Sequence, residues 1–112
     1  MEVADKDAQQ IKDEFDEAVN MTPTELEGWL ATDESRSVGQ VEDDGESTGH
    51  KSGRRIVEIL RKKSDALTED DLDHMNKVQG YVSRHLKQRP AGDVEETPWR
   101  YSLMNWGHDP LK

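Results

Sequence analysis

The chain has 112 residues, of which 36% are charged and 31% hydrophobic, and its formal net charge at pH 7 is −10. This length allows one small domain with a modest core, and the absence of cysteine excludes disulfides, thiolate metal sites and cysteine nucleophiles. The chain opens on acidic residues without an apolar run, so we expect no signal peptide and no membrane span, and therefore a soluble cytoplasmic protein.

The charge is divided unevenly along the chain. Residues 1–50 hold 15 acidic and 3 basic residues, a balance of −12, whereas residues 51–112 hold 10 acidic and 12 basic residues, a balance of +2. The second half therefore leaves room for a local polyanion site, although the field of the whole molecule repels nucleic acid at long range.

Two helices are predicted in the first third of the chain. Residues 4–20 repeat apolar side chains at helical spacing on one face. Those side chains are Ala4, Ala8, Ile11, Phe15, Ala18 and Val19. Thr22, followed by proline and then by Glu25, is typical of a capped helix start, and the second helix should stop near Thr32. We expect the two helices to form a helical hairpin.

Residues 33–48 are predicted to form a flexible acidic loop. The segment contains two glycines, several serines and the run Glu42–Asp44. The alternating oxygen ligands and closing glutamate of a calcium loop are missing, so we interpret the run as solvated linker.

The next helix, predicted over residues 49–63, is the element around which we expect the rest to pack. Ile56, Val57, Ile59 and Leu60 fall on one half of its circumference. Basic residues occupy the opposite face and the end of the helix. They are Lys51, Arg54, Arg55, Arg61, Lys62 and Lys63.

A long helix should then run from Thr68 to about Gln88, with acidic residues in its first turn and Arg84 and Lys87 near its end, as the helix dipole favours. Gly80 interrupts it at a cost of about 1 kcal/mol relative to alanine, which suggests a close helix contact there.

A short C-terminal helix is predicted to begin at Thr97, because a hydroxyl residue followed by proline typically starts a helix. Trp99 and Trp106 share one face of it, with Tyr101 beside them. We expect this segment to cap the core, since two exposed indoles would form an apolar patch. If the chain were a protein-interaction module, a protein partner would bind this segment or the acidic loop over residues 33–48.

No pattern of catalytic or metal-binding residues emerges from the sequence, so we expect a non-enzymatic protein without a cofactor or metal. His74 and His85 lie eleven residues apart, about 16 Å along one helix, which is too far to share a metal ion. An enclosed pocket holding Tyr81, His85 and Trp99 would instead favour an enzyme.

The leading hypothesis for function is therefore binding of nucleic acid, and of DNA in particular, through cations on helix faces. The candidate contacts are Lys51, Arg54, Arg55, Arg61, Lys62, Lys63, Arg84 and Lys87. Pairing of these cations with the acidic first half, or with a protein partner, is the open alternative. The oligomeric state is also left open.

Two resemblances bear on this hypothesis. Residues 22–30, followed after a loop by residues 53–60, resemble in outline the two helices of SAP-type DNA-binding modules, although the loop here is longer and strongly acidic. Residues 21–23, 49–60, 67–72 and 99–110 resemble a domain-of-unknown-function family, number thirty-one forty, some of whose members are labelled DNA-binding proteins. This second resemblance spans residues 10–112 and implies a helical fold. The sequence thus predicts one all-α domain over residues 1–112, with four main helices and a short C-terminal one.

Overall fold

The structure, a computed structural model, describes residues 7–38 and 48–112. Within these ranges the chain forms six α-helices, a 3-10 turn at Ser64–Ala66 and no β-strand. The helices are α1 (Ala8–Ala18), α2 (Pro23–Leu30), α3 (Asp33–Arg36), α4 (Thr48–Leu60), α5 (Glu69–Leu86) and α6 (Pro98–Asn105). The all-α prediction is confirmed. Among the described helices, none is both long enough and apolar enough to cross a bilayer.

Side-chain caps fix where most helices begin. Four helices start after a threonine whose hydroxyl accepts the backbone N–H three residues later, and these threonines are Thr22, Thr32, Thr68 and Thr97. At Thr22 and Thr68 the acidic residue three positions on also accepts the cap's own N–H, which completes a capping box. The predicted starts of α2, α5 and α6 are therefore confirmed.

The helices pack as two pairs joined by α6. Helix α1 packs mainly on α5 and α2 on α4, while α6 contacts α2, α3, α4 and α5. The predicted hairpin of α1 and α2 is wrong, because each buries its apolar stripe against a different later helix. The largest fully buried apolar side chains are Phe15, Leu26, Ile56, Leu103, Val78 and Val94.

The predicted loop over residues 33–48 is shorter than expected. Thr32 caps the single-turn helix α3, and Ser35 in that helix is fully buried, where its hydroxyl donates to Asn105 Oδ1 at 2.5 Å. The buried contact between Ser35 and Asn105 orders the start of the segment. The acidic run Glu42–Asp44, like residues 4–6 of the predicted first helix, lies outside the described residues.

Two glycines show opposite environments. A Cβ atom added at Gly53 of α4 would lie 2.6 Å from the Asn105 carbonyl oxygen and 2.7 Å from Leu30 Cδ2, so this glycine allows α2, α4 and α6 to approach closely. At Gly80 of α5 the same atom would meet only the guanidinium of Arg84, at 3.2 Å. The expectation that Gly80 permits a close helix contact is therefore wrong.

The chain after α6 is fastened to the linker between α1 and α2. The Gly107 carbonyl accepts the N–H groups of Asn20 and Met21, and the Asn20 side chain exchanges two hydrogen bonds with the backbone of Asp109. Gly107 has φ +84°, and a Cβ there would lie 3.0 Å from Val19 Cγ1. Only glycine fits this backbone conformation without strain.

Candidate nucleic-acid interface and the adjacent cavity

Several of the cations predicted on the helix over residues 49–63 form ion pairs with carboxylates of neighbouring helices. The carboxylate of Asp71 on α5, only 1% exposed, accepts from Arg55 at 2.9 Å and from Lys62 at 2.6 Å. It also accepts the Thr68 N–H at 3.0 Å. The bonds from Lys62, Thr68 and Arg55 hold the pKa of Asp71 well below its ordinary value, against the effect of burial. Arg55 and Lys62 therefore neutralise a buried charge.

The other cations of this group differ in their surroundings. Helix α4 ends at Leu60 rather than Lys63, and Arg61 just beyond it forms a bidentate pair with Glu27 of α2, at 3.0 and 3.1 Å. Lys51 and Arg54 have interaction partners of their own. Lys63 is exposed. The expectation of a free basic face on α4 is thus corrected for Arg55, Arg61 and Lys62, since carboxylates already hold them.

A different set of cations lies on the outer side of α5. Lys77, Arg84 and Lys87 are exposed, and none of the described carboxylates lies within ion-pair distance of them. Their spacing of seven and three residues places them within about 80° of the helix circumference and along about 15 Å of its length. Gly80 lies on the same side. We call Lys77, Gly80, Arg84 and Lys87 the α5 basic stripe.

The inner side of α5 forms a column of stacked rings with the C-terminal segment. The centroid distances are 6.3 Å for His74–Trp106, 4.2 Å for Trp106–Tyr81, 5.3 Å for Tyr81–His85 and 6.2 Å for His85–Trp99. The guanidinium of Arg89 lies 5.4 Å above the Trp99 ring and closes the column.

The predicted protein-contact residues are therefore mostly interior. Trp99 and Trp106 are 7% and 5% exposed, and Tyr101, half-buried, lies 5.5 Å from the Trp29 ring. The expectation that this segment caps the core is confirmed. Its role as a partner-binding site is corrected for both tryptophans, because their rings are already covered by α5.

A cavity of about 310 Å³ opens beside this column, between the start of α4, the middle of α5 and α6. It is lined by Thr48, Gly49, Lys77, Tyr81, Ser102, Asn105 and Trp106. His85 and Trp99 are not among these residues, so the cavity lacks the combination that would have favoured an enzyme. Within residues 7–38 and 48–112, no carboxylate lines it.

Burial changes the acidity of the three titratable rings in the column. It raises the pKa of Tyr81, an effect that a hydrogen bond with Ser102 partly offsets. It lowers the pKa of His74 and of His85. The His74 Nε2 atom is within 2.9 Å of the Ser52 hydroxyl, whereas His85 Nε2 is buried without a partner. Burial thus favours the neutral form of each of these rings.

Asn105 is the residue of this region that the sequence did not reveal. Its Oδ1 atom accepts from Trp29 Nε1 at 2.7 Å and from the Ser35 hydroxyl, and its Nδ2 donates to the Ser35 carbonyl at 3.0 Å. It lies off the apolar stripe of α6, where a polar residue is expected to face solvent. No group of three or more potential metal-ligating side chains occurs in the described parts of the chain.

Comparison with known proteins gives one match. A family model described as "Protein of unknown function (DUF3140)" matches residues 14–104. This match confirms the family resemblance seen in the sequence, and the description assigns no function. No curated protein and no solved structure matches the chain.

Proposed function

The chain belongs to the DUF3140 family, and we propose that it is a non-enzymatic protein that binds nucleic acid through the α5 basic stripe. The observation that carries the proposal is that Lys77, Arg84 and Lys87 are exposed on one side of α5 and form no ion pair with any carboxylate that the structure describes. Cations arranged along a helix are suited to contact successive phosphates of a nucleic acid backbone. The site thus shares only Arg84 and Lys87 with the set predicted from sequence.

We place the proposed nucleic acid site on α5 rather than α4 because the cations Arg55, Arg61 and Lys62 are already paired with carboxylates. Arg55 and Lys62 already neutralise the buried Asp71 carboxylate, so a phosphate would compete with that carboxylate for their charge. Arg61 would have to leave Glu27, although both of these side chains are exposed and that pair contributes little. Lys77, Arg84 and Lys87 lose no ion pair on binding phosphate.

Gly80 supports the same location. Glycine inside an exposed helix costs about 1 kcal/mol relative to alanine, and no packing contact with another helix explains it here. Without a side chain at this position, a phosphate can approach the helix surface between Lys77 and Arg84. The net charge of −10 opposes long-range attraction, so contacts of this kind would act at short range.

The test is fluorescence anisotropy with a labelled 16-base-pair duplex and the corresponding single strand, at low salt. Arg84→Gln should weaken binding about three- to tenfold, as expected for loss of one charged contact. Arg36→Gln is the matched control, because Arg36 is an exposed arginine on α3 away from the stripe. Equal affinities of the two variants, or no binding by the wild type, would contradict the proposal.

A basic segment of a partner protein is the second candidate ligand. A groove of about 260 Å³ between α1 and α5 is lined by Ala18, Val82 and Leu86, with Glu14 and Glu17 at its edge. Leu86 is one of two large hydrophobic residues exposed in the described ranges, at 37%. An amphipathic peptide of lysine and leucine tests this candidate, and Leu86→Gln should abolish its binding while leaving nucleic acid binding unchanged.

The remaining parts of the proposal concern chemistry and location. A binding role without catalysis is supported by the lining of the cavity beside Trp106, where the titratable groups among the described residues are Lys77 and a phenol whose pKa is raised. A cytoplasmic location is supported by the absence of cysteine, which suits a reducing compartment. Assays for hydrolase activity and cell fractionation test these two points.

A further inference from the structure

The cavity beside Trp106 presents hydrogen-bond donors without a matching charge. The polar residues of its lining include Lys77, Tyr81, Ser102 and Trp106, and no carboxylate belongs to it among the residues that the structure describes. A cavity of about 310 Å³ is at the lower end of the range for small-molecule sites. Its composition therefore favours an electron-rich, negatively charged ligand of small size.

The indole N–H of Trp106 points to the same conclusion. The side chain is 95% buried, being 5% exposed, yet its Nε1–H donates to no acceptor in the described part of the chain. The indole groups of Trp29 and Trp99, by contrast, both donate at 2.7–2.8 Å. Nε1 of Trp106 faces Gly49, where an added Cβ would lie 3.1 Å away, and both residues line the cavity. An unused donor at a cavity wall is a binding group for an acceptor.

Two positive features surround that donor. Lys77 contributes a full charge, and α4, a helix of 13 residues, begins at Thr48 on the cavity wall with the positive end of its dipole. Tyr81, whose phenol stays protonated because burial raises its pKa, can donate as well. The rings of Tyr81 and Trp106 form an apolar wall beside these groups.

We propose that this cavity binds a small anion with an aryl or alkyl body, its carboxylate or phosphate group bonded to Trp106 Nε1–H and Lys77. The nitrogen donors suit either oxyanion, and the apolar wall would hold the body of the ligand. The site is separate from the nucleic acid contact proposed above, with which it shares only Lys77.

The experiment is an amide and indole NMR titration of the full ¹⁵N-labelled chain. Benzoate and phenyl phosphate are the anionic probes, and benzamide is the neutral probe of matched shape. We expect a saturable shift of the Trp106 indole N–H with at least one anion, while the Trp29 and Trp99 indole signals stay in place. A response to benzoate alone identifies a carboxylate site, and a response to phenyl phosphate alone identifies a phosphate site.

Variants on α5 separate this site from the nucleic acid contact. Lys77→Gln should weaken binding of the anionic probe about tenfold, whereas Lys87→Gln, at the C-terminal cap of the same helix and outside the cavity, should leave it unchanged. Benzamide should bind at least tenfold more weakly than benzoate. The proposal is overturned if no anion shifts the Trp106 signal, if benzamide binds equally well, or if Lys77→Gln has no effect. Arg84→Gln tests the nucleic acid contact alone, so either proposal can fail without the other.

Discussion

The indole Nε1–H of Trp29 donates to Oδ1 of Asn105 over 2.7 Å, which joins α2 to α6 across 76 positions of sequence. The same oxygen accepts the Ser35 hydroxyl, so one amide group connects three helices. Asn105 is 1% exposed, and its hydrogen bonds therefore form away from competing water. This arrangement makes the C-terminal helix part of the structural centre.

Removing the side-chain amide of Asn105 should lower the free energy of unfolding. Asn105→Ala leaves the Trp29 indole and both Ser35 groups without partners in a buried place, and we expect a loss of about 3 kcal/mol in the free energy of unfolding. Urea denaturation followed by tryptophan fluorescence measures the loss. Gln88→Ala, at an exposed position, should change stability by less than about 0.5 kcal/mol. A similar small change for Asn105→Ala would mean that the network contributes little.

The close approach of α2, α4 and α6 at Gly53 is tested by Gly53→Ala, which adds one methyl group there. Gly53→Ala places a Cβ 2.6 Å from the Asn105 carbonyl oxygen, and the backbone must shift to relieve the clash, at an expected cost of about 1–3 kcal/mol. Gly28→Ala is the matched control in α2, where nothing lies within 4 Å. There alanine should stabilise the fold by up to about 1 kcal/mol. Thermal unfolding of both variants should therefore shift in opposite directions.

The Asp71 carboxylate should make stability depend on acid pH. Its pKa is lowered in the fold by Lys62, Thr68 and Arg55, so its contribution is complete above the ordinary aspartate pKa of about 3.9 and is lost as pH falls toward the lower folded pKa. Asp71→Asn should lower the free energy of unfolding at pH 7 by about 1–3 kcal/mol.

Other carboxylates also titrate in that range, so the informative quantity is the difference between the wild type and Asp71→Asn. Urea denaturation at pH 7, 5 and 3 should show this difference shrinking below pH 4. A difference that stays constant with pH would contradict the assignment to Asp71.

The two histidines of the ring column should titrate below the ordinary histidine pKa of about 6.5, because burial lowers the pKa of both His74 and His85. The unfolded chain then takes up protons at a higher pH than the folded chain. Stability should therefore fall as pH decreases from about 7 through 6.5 toward the folded pKa values. NMR titration of the imidazole Cε1–H signals measures the midpoints directly, and a midpoint at or above 6.5 for either ring would refute this prediction.

How far the sequence predicted this fold depends on the range of the interactions involved. The helix starts at Thr22, Thr68 and Thr97 were predictable, because a cap and its partner lie three residues apart. The pairing of α1 with α5 was not, since both α1 and α2 carry an apolar stripe and nothing local selects the helix that covers it. The single-turn α3 was missed because its order depends on a contact with Asn105, 70 positions away from Ser35.

For the candidate site, too, the sequence could not show contacts between residues that lie far apart in the chain. Helical periodicity placed Arg55, Arg61 and Lys62 among the cations of one segment, but it could not show that Asp71 and Glu27 come within hydrogen-bond distance of them. Arg84 and Lys87 were named from the same reasoning and are exposed. What separates the two groups is the position of carboxylates on other helices, which is a property of the tertiary structure.

Salt dependence provides the sharpest test of the α5 basic stripe. If Lys77, Arg84 and Lys87 each contact one phosphate of a duplex, the logarithm of the binding constant should fall with the logarithm of salt concentration with a slope of about −2.7. Each single glutamine substitution should reduce the size of that slope by about 0.9, because one fewer counterion is released.

The pattern across variants distinguishes phosphate contacts from a general charge effect. Arg36→Gln removes the same charge from the molecule but no contact, so its slope should equal that of the wild type. Gly80→Gln keeps every charge and places a side chain where the phosphate would approach, so it should lower affinity at every salt concentration. If the four substitutions that each remove one charge, at Lys77, Arg84, Lys87 and Arg36, changed the slope equally, net charge alone would control binding. The three stripe cations would then have no special position relative to the nucleic acid backbone.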